Sequence, residues 1–168
     1  IGGQQFTPLA AHHAGIVLRN ALFRLPARAD RQAVPLVTYT DPELAEVGLS
    51  ESAARAARPG APIRVLRWPF SENDRARTER RSEGLIKVVT TAKGRILGAG
   101  IVGPHAGELI QPWVLALDNR LKIGAMAKTI VAYPTLVEVG KRAAGSYYAP
   151  RLFSERTKAV VRFLARFG

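Results

Sequence analysis

Apolar positions recur with two different periods along this chain. From Leu9 through Ile16, Val17, Ala21 and Leu22 they follow helical spacing, which predicts a helix to about Phe23, opened by Thr7 as N-cap with Pro8 at its first position. After Pro35 the run Leu36-Val37-Thr38-Tyr39-Thr40 reads as a short strand turned away by Asp41-Pro42. Ser50 to Arg58 is alanine-rich, has Ser50 as an N-cap and is ended by Pro59-Gly60, so it is a helix. Ile63 to Trp68 alternates apolar and basic residues as a half-exposed strand does. Ser71 to Glu83 is polar and reads as a loop with room for one helical turn. Leu85–Thr90 and Ile96–Val102 are β-rich runs joined by Thr91-Ala92-Lys93-Gly94, the pattern of an antiparallel hairpin.

Helical spacing then returns. Ile110, Trp113, Val114, Leu117 and Leu121 form the inner stripe of a helix over Ala106–Leu121, and Pro112 predicts a kink or a late start because it lacks an N–H. A short turn over Ala125–Thr129 and a helix over Thr135–Ala144 follow. The last helix, Ser154–Phe167, carries Phe153, Val160, Leu164 and Phe167 on one side and Glu155, Lys158, Arg162 and Arg166 on the other. Its apolar side has two readings, packing on protein or lying on an acidic membrane.

Gly98, Gly100 and Gly103 spell G-x-G-x-x-G, the spacing of a dinucleotide-binding turn. The surroundings argue against that use. A nucleotide fold requires a parallel strand ending in an acid about 20 residues on, and Asp118, at that distance, falls inside a helical pattern. Gly98 and Gly100, two apart, share one face of a strand instead, leaving a bare groove where another backbone or a subunit approaches.

Composition changes the picture in three ways. The 168 residues suit one domain with an extra segment at an end, and Leu25–Ala33 is the polar connector that divides residues 1–33 from residues 34–168. The absence of cysteine excludes a disulfide framework and a thiol nucleophile, and three histidines, of which His12 and His13 are adjacent, speak against a metal cluster. That usage fits a cytoplasmic setting, and no apolar run is long enough to span a bilayer. The net charge of +12 raises a nucleic-acid hypothesis. The arginines are scattered and no zinc finger or RNA-binding aromatic signature accompanies them, so a solvated basic surface is the simpler reading.

Three segments in order carry a resemblance: Val37–Gly48 (VTYTDPELAEVG), Gly84–Ile110 ending GAGIVGPHAGELI, and Ala132–Glu138 (AYPTLVE). Together they resemble the C-terminal dimerisation domain of FAD-dependent pyridine nucleotide-disulfide oxidoreductases, with dihydrolipoamide and mercuric reductases among its branches. The opening QFTPLAAHHAGIVLRNALF is similar to the last helix of that family's FAD domain. The resemblance implies an α+β domain built on an antiparallel sheet flanked by helices, pairing into a homodimer; neither nucleic acid nor a membrane is expected as a partner. It also implies that the family's FAD and NAD(P)H Rossmann units and redox cysteines are not in this sequence. The expectation is a C-terminal fragment that neither holds flavin tightly nor turns over alone.

Two sets of site residues follow from the resemblance. In disulfide reductases a His before the Pro of the Ala132–Glu138 segment acts over the partner's cysteine pair, oriented by a Glu five positions later. Here Glu138 matches and Tyr133 stands at the His position. A phenol near ~10 is a poor base at neutral pH, where an imidazole near ~6.5 is well matched, so ordinary dithiol chemistry is put in doubt; a tyrosine here is similar to the mercuric reductase branch. Both residues also have a packing reading, Tyr133 as an aromatic before a helix and Glu138 as the acid of a Thr135-x-x-Glu138 capping box. The second set is Thr7, Pro8, Leu9 and Ala10, the helix N-terminus that in the family faces the flavin ring. An active-site-completing dimerisation module is one functional hypothesis; a free-standing basic adaptor for nucleic acid or anionic surfaces is the other.

Overall fold

The computed structural model of the protein describes residues 6–29 and 33–167. Its centre is a five-stranded antiparallel sheet made of β1 (Leu36–Thr38), β2 (Glu43–Gly48), β3 (Ile63–Pro69), β4 (Leu85–Thr91) and β5 (Ile96–Gly103), in the order β1-β2-β5-β4-β3. Helix α1 (Thr7–Leu22) precedes the sheet, and α2 (Glu51–Ala57) and α3 (Asp74–Thr78) lie in its connections. After β5 come α4 (Ala106–Leu109), α5 (Gln111–Asp118), α6 (Ile123–Lys128), α7 (Glu138–Ser146), α8 (Ala149–Leu152) and α9 (Glu155–Leu164). The α+β class and the antiparallel sheet agree with the sequence reading.

The alternation of side chains decides which sheet face is dry. Ala45, Val47, Leu66, Ile86, Val88, Ala99 and Ile101 point to one side and meet Ile110, Trp113, Val139, Ala143 and Ala144 of the later helices. Trp113 is 2% exposed and Ile110 not at all, so the stripe expected for this helix is the centre of the core at those two positions. The opposite face is covered at one end by α2, where Ala54 packs on Val89 and Leu97.

Pro112 acts as expected: the helical run divides into α4 and α5, and the proline takes a position in the first turn of the second piece, where no N–H is needed. Ser50 caps α2 by accepting from the Ala53 N–H at 3.1 Å. Three expectations are corrected. Phe6, not Thr7, is the N-cap of α1, so Thr7 lies inside the helix and its hydroxyl caps nothing. Helix α7 begins at Glu138 rather than Thr135, because the Thr135 hydroxyl turns back to the Ala132 carbonyl at 2.6 Å. Strand β2 was not anticipated, since its acids break the β pattern; Glu46 stands on the exposed face, while the half-buried Glu43 shares the inner face with buried Ala45 and Val47. Part of the proposed connector, residues 30–32, lies outside the described residues.

The candidate nucleotide turn is resolved by register. Gly98, Gly100 and Gly103 all lie within β5, opposite Gly48, Glu46 and Glu43 of β2, so they belong to a ladder and form no strand-to-helix turn. A Cβ on Gly98 would stand 2.2 Å from the Leu49 carbonyl oxygen, so that glycine admits the chain's own backbone. At Gly100 the nearest atom would be 3.7 Å away. It opens onto a groove of about 1040 Å³ bounded by Leu36, Leu44, Glu46, Lys87, Arg67 and Val102.

Candidate functional site

The segment from Ala132 to Glu138 crosses from α6 to α7 and presents Tyr133 outward, 70% exposed. Two adjacent residues hold it. Asn73 is buried, and its side-chain NH2 donates to the Thr135 carbonyl at 3.0 Å while its carbonyl oxygen accepts from the Ala76 N–H at 2.9 Å. That second bond also caps α3. Asp74, the next residue, accepts the Tyr133 hydroxyl at 2.9 Å. The start of α3 is therefore a clamp for a segment about sixty residues downstream. Neither Asn73 nor Asp74 was singled out from the sequence; the available signal was the N-cap type of Asn73 ahead of Asp74-Arg75-Ala76.

The electrostatics follow from the hydrogen bond. The Asp74 carboxylate stabilises the protonated phenol and its charge opposes a phenolate, so Tyr133 is pushed above its ordinary value; Glu138 adds to the same trend more weakly. At neutral pH this residue is a neutral phenol whose proton is committed to Asp74. It is not an acid–base shuttle there, but its oxygen keeps lone pairs toward whatever covers the segment. Glu138 accepts from the Thr135 N–H at 3.5 Å, but Val137 and not Thr135 is the N-cap of α7, so the expected capping box does not form. Thr135 spends its hydroxyl on Ala132 instead.

The other motif segments are structural supports. Glu43 Oε2 accepts from the Gly107 N–H at 2.9 Å, joining the first edge of β2 to the first turn of α4. Gly103 leaves room for Phe70, whose ring would lie 2.3 Å from a Cβ there. On the outer sheet face Glu51 pairs with Arg55 at 3.0 Å, Arg67 at 3.1 Å and Lys87 at 3.3 Å. These hydrogen bonds from Arg55 and Lys87 draw the Glu51 carboxyl below its usual range.

The two sets of sequence-derived site residues stay apart: among the described residues no hydrogen bond or ion pair links Thr7–Ala10 to 132–138. At the start of α1, Pro8 has no N–H and the Ala10 N–H is taken by the Phe6 carbonyl at 3.0 Å. The Thr7 and Leu9 N–H groups have no acceptor among the described residues, and the first turn carries no acid. His12 and His13 sit with ring centroids 6.2 Å apart and tilted, and no metal-ligating cluster occurs among the described residues.

The family described as pyridine nucleotide-disulphide oxidoreductase, dimerisation domain, matches residues 34–144. The chain belongs to this family. Among relatives of the dimerisation domain, the dihydrolipoamide dehydrogenase of Chaetomium thermophilum is 37% identical over 153 residues, 89% of this chain and 30% of that protein. The dihydrolipoyl dehydrogenase of Thermus scotoductus is 44% identical over 148 residues, 82% of this chain and 30% of that protein. Of solved structures, LpdA from Mycobacterium tuberculosis superposes with a TM-score of 0.78 at 28% identity, covering 91% of this chain and 32% of that one. The flavoprotein disulfide reductase RclA from Escherichia coli gives 0.80 at 28% identity, covering 86% and 33%. This chain thus spans about a third of the length of the relatives it matches. No helix among the described residues is long and apolar enough to cross a membrane.

Proposed function

We propose that the protein is the dimer-forming, active-site-completing part of an FAD- and NAD(P)H-dependent oxidoreductase, with residues 34–168 as the pairing domain and residues 1–33 as the end of a flavin domain plus connector. The observation that carries the reading is the Ala132–Glu138 segment: an exposed aromatic on a rigid support, clamped by Asn73 and Asp74, inside a domain whose family is defined by dimerisation. Such a segment is built to meet a surface outside its own fold. Tyr133 and Glu138 are the residues assigned to that contact. The neutral phenol offers its oxygen to a ligand or a partner's group and leaves proton shuttling near neutral pH to other residues.

Thr7, Pro8, Leu9 and Ala10 are assigned to flavin, and the chemistry at the start of α1 fits part of that group. Thr7 and Leu9 offer N–H groups at the positive end of a 16-residue helix, suited to an electron-rich carbonyl edge. Pro8 and Ala10 shape the turn without donating. When bound, FAD would supply the hydride and electron transfer; the protein's share here is one edge of its surroundings, so the chain by itself is expected to bind flavin weakly.

The test is oligomeric state. Sedimentation equilibrium of the chain at micromolar concentration is expected to give a homodimer, and a monomer at the highest attainable concentration overturns the assignment. A basic adaptor for nucleic acid gains nothing from the family match, and Arg55, Arg67, Arg75 and Arg81 are each engaged by a carboxylate.

A further inference from the structure

Beyond residue 144, where the family match stops, the chain continues into a short two-helix hook, α8 and α9. The corner between them is well formed: Ser154 caps α9 by accepting from the Thr157 N–H at 3.3 Å, and the Thr157 hydroxyl donates to the Arg151 carbonyl at 2.7 Å. Yet α9 buries no residue. Val160, Val161, Phe163 and Leu164 are all more than half exposed, and Phe167 just beyond them is 75% exposed. At about 100° per residue these side chains share one side of the helix, whereas Lys158, Arg162 and Arg166 line the other. Arg156 falls within the apolar stripe, between Phe163 and Phe167, where its stem can lie on the apolar surface with its head turned outward. Leu152 and Phe153 extend the apolar side around the corner, 58% and 73% exposed.

Charge selects the occupant. From Gly145 to Phe167 there are five cations, Arg151, Arg156, Lys158, Arg162 and Arg166, against the single carboxylate Glu155. A protein groove would cover the apolar stripe and leave the basic side to water, where Glu155 pairs with Lys158 at 2.7 Å and Arg166 makes no ion pair among the described residues. A sheet of anionic headgroups over hydrocarbon satisfies both sides at once, because the aromatic and aliphatic stripe enters the acyl boundary while Lys and Arg remain among the headgroups. We propose that α9, with the α8–α9 corner, is a peripheral membrane-docking element that lays the protein on anionic lipid bilayers without crossing them.

Vesicle flotation tests this with the full chain. Vesicles of phosphatidylcholine with one third phosphatidylglycerol are expected to carry the protein at low salt, at least tenfold more than pure phosphatidylcholine, with the difference lost in high salt. Two variants separate the apolar and electrostatic parts: F163S/L164S and K158E/R162E/R166E are each expected to lose at least tenfold of the bound fraction with an unchanged far-ultraviolet circular dichroism spectrum. In addition, F163W emission is expected to shift to the blue on adding the anionic vesicles. Flotation that is absent, indifferent to lipid charge, or unchanged in both variants overturns the proposal. So does a result in which F163S/L164S converts a dimer to a monomer while no vesicle binding occurs, which assigns the stripe to a second copy.

Discussion

The Tyr133 hydroxyl donates to Asp74 Oδ2 across 2.9 Å, joining residues 59 apart in the chain. This bond fixes both the direction of the exposed phenol and its protonation, and the ionisation of Tyr133 is the first quantity to measure. Its pKa is raised, so the stability associated with this bond is fully present below the ordinary tyrosine range near ~10 and is lost as pH climbs through the raised value. In an ultraviolet absorbance titration of the chain's 4 tyrosines, Asp74→Asn is expected to bring one ionisation to lower pH, and Tyr133→Phe is expected to remove that same ionisation. An unchanged Asp74→Asn titration would show that the phenol is not held by this carboxylate.

Asn73 carries the structural half of the clamp. Asn73→Ala leaves the Ala76 N–H and the Thr135 carbonyl without their partner in a buried setting, a loss of about 1–3 kcal/mol. Chemical denaturation should report that loss, and hydrogen exchange should quicken at 132–138 before the sheet is affected. Equal protection in the variant contradicts the clamp.

The two glycines of β5 should behave oppositely. Gly98→Ala puts a methyl group 2.2 Å from the Leu49 carbonyl, a backbone collision that cannot be relieved by a side-chain turn, and is expected to cost about 1–3 kcal/mol. Gly100→Ala meets its nearest neighbour at 3.7 Å and should change stability by less than about 1 kcal/mol. Thermal melts of the pair check the contrast.

Glu51 sets the acid limb of stability on the outer sheet face. Its carboxyl is drawn down by Arg55 and Lys87, so its contribution is present above the ordinary carboxylate range near ~4.3 and is lost as pH falls through the lowered value. Glu51→Gln should flatten the fall in melting temperature on acidification and leave the profile above neutral pH parallel to the parent's.

The local grammar of the chain was legible in the residues. Ser50 as a cap, Pro59-Gly60 as a stop, Pro112 as a break, and the hairpin over Leu85–Val102 each depend on propensity and spacing within a few positions. Those also sufficed to reject a phosphate-binding turn, because G-x-G-x-x-G means something different inside a strand of period two than at a strand-to-helix turn. Tertiary structure decided the rest. Strand β2 exists because β5 offers it a ladder, although its own acids weaken the pattern. Thr135 starts no helix because its hydroxyl finds Ala132 first. Asn73 and Asp74 became the support of Tyr133 only when the fold brought the start of α3 beside the loop before α7, a proximity set by long-range packing and invisible to any local period.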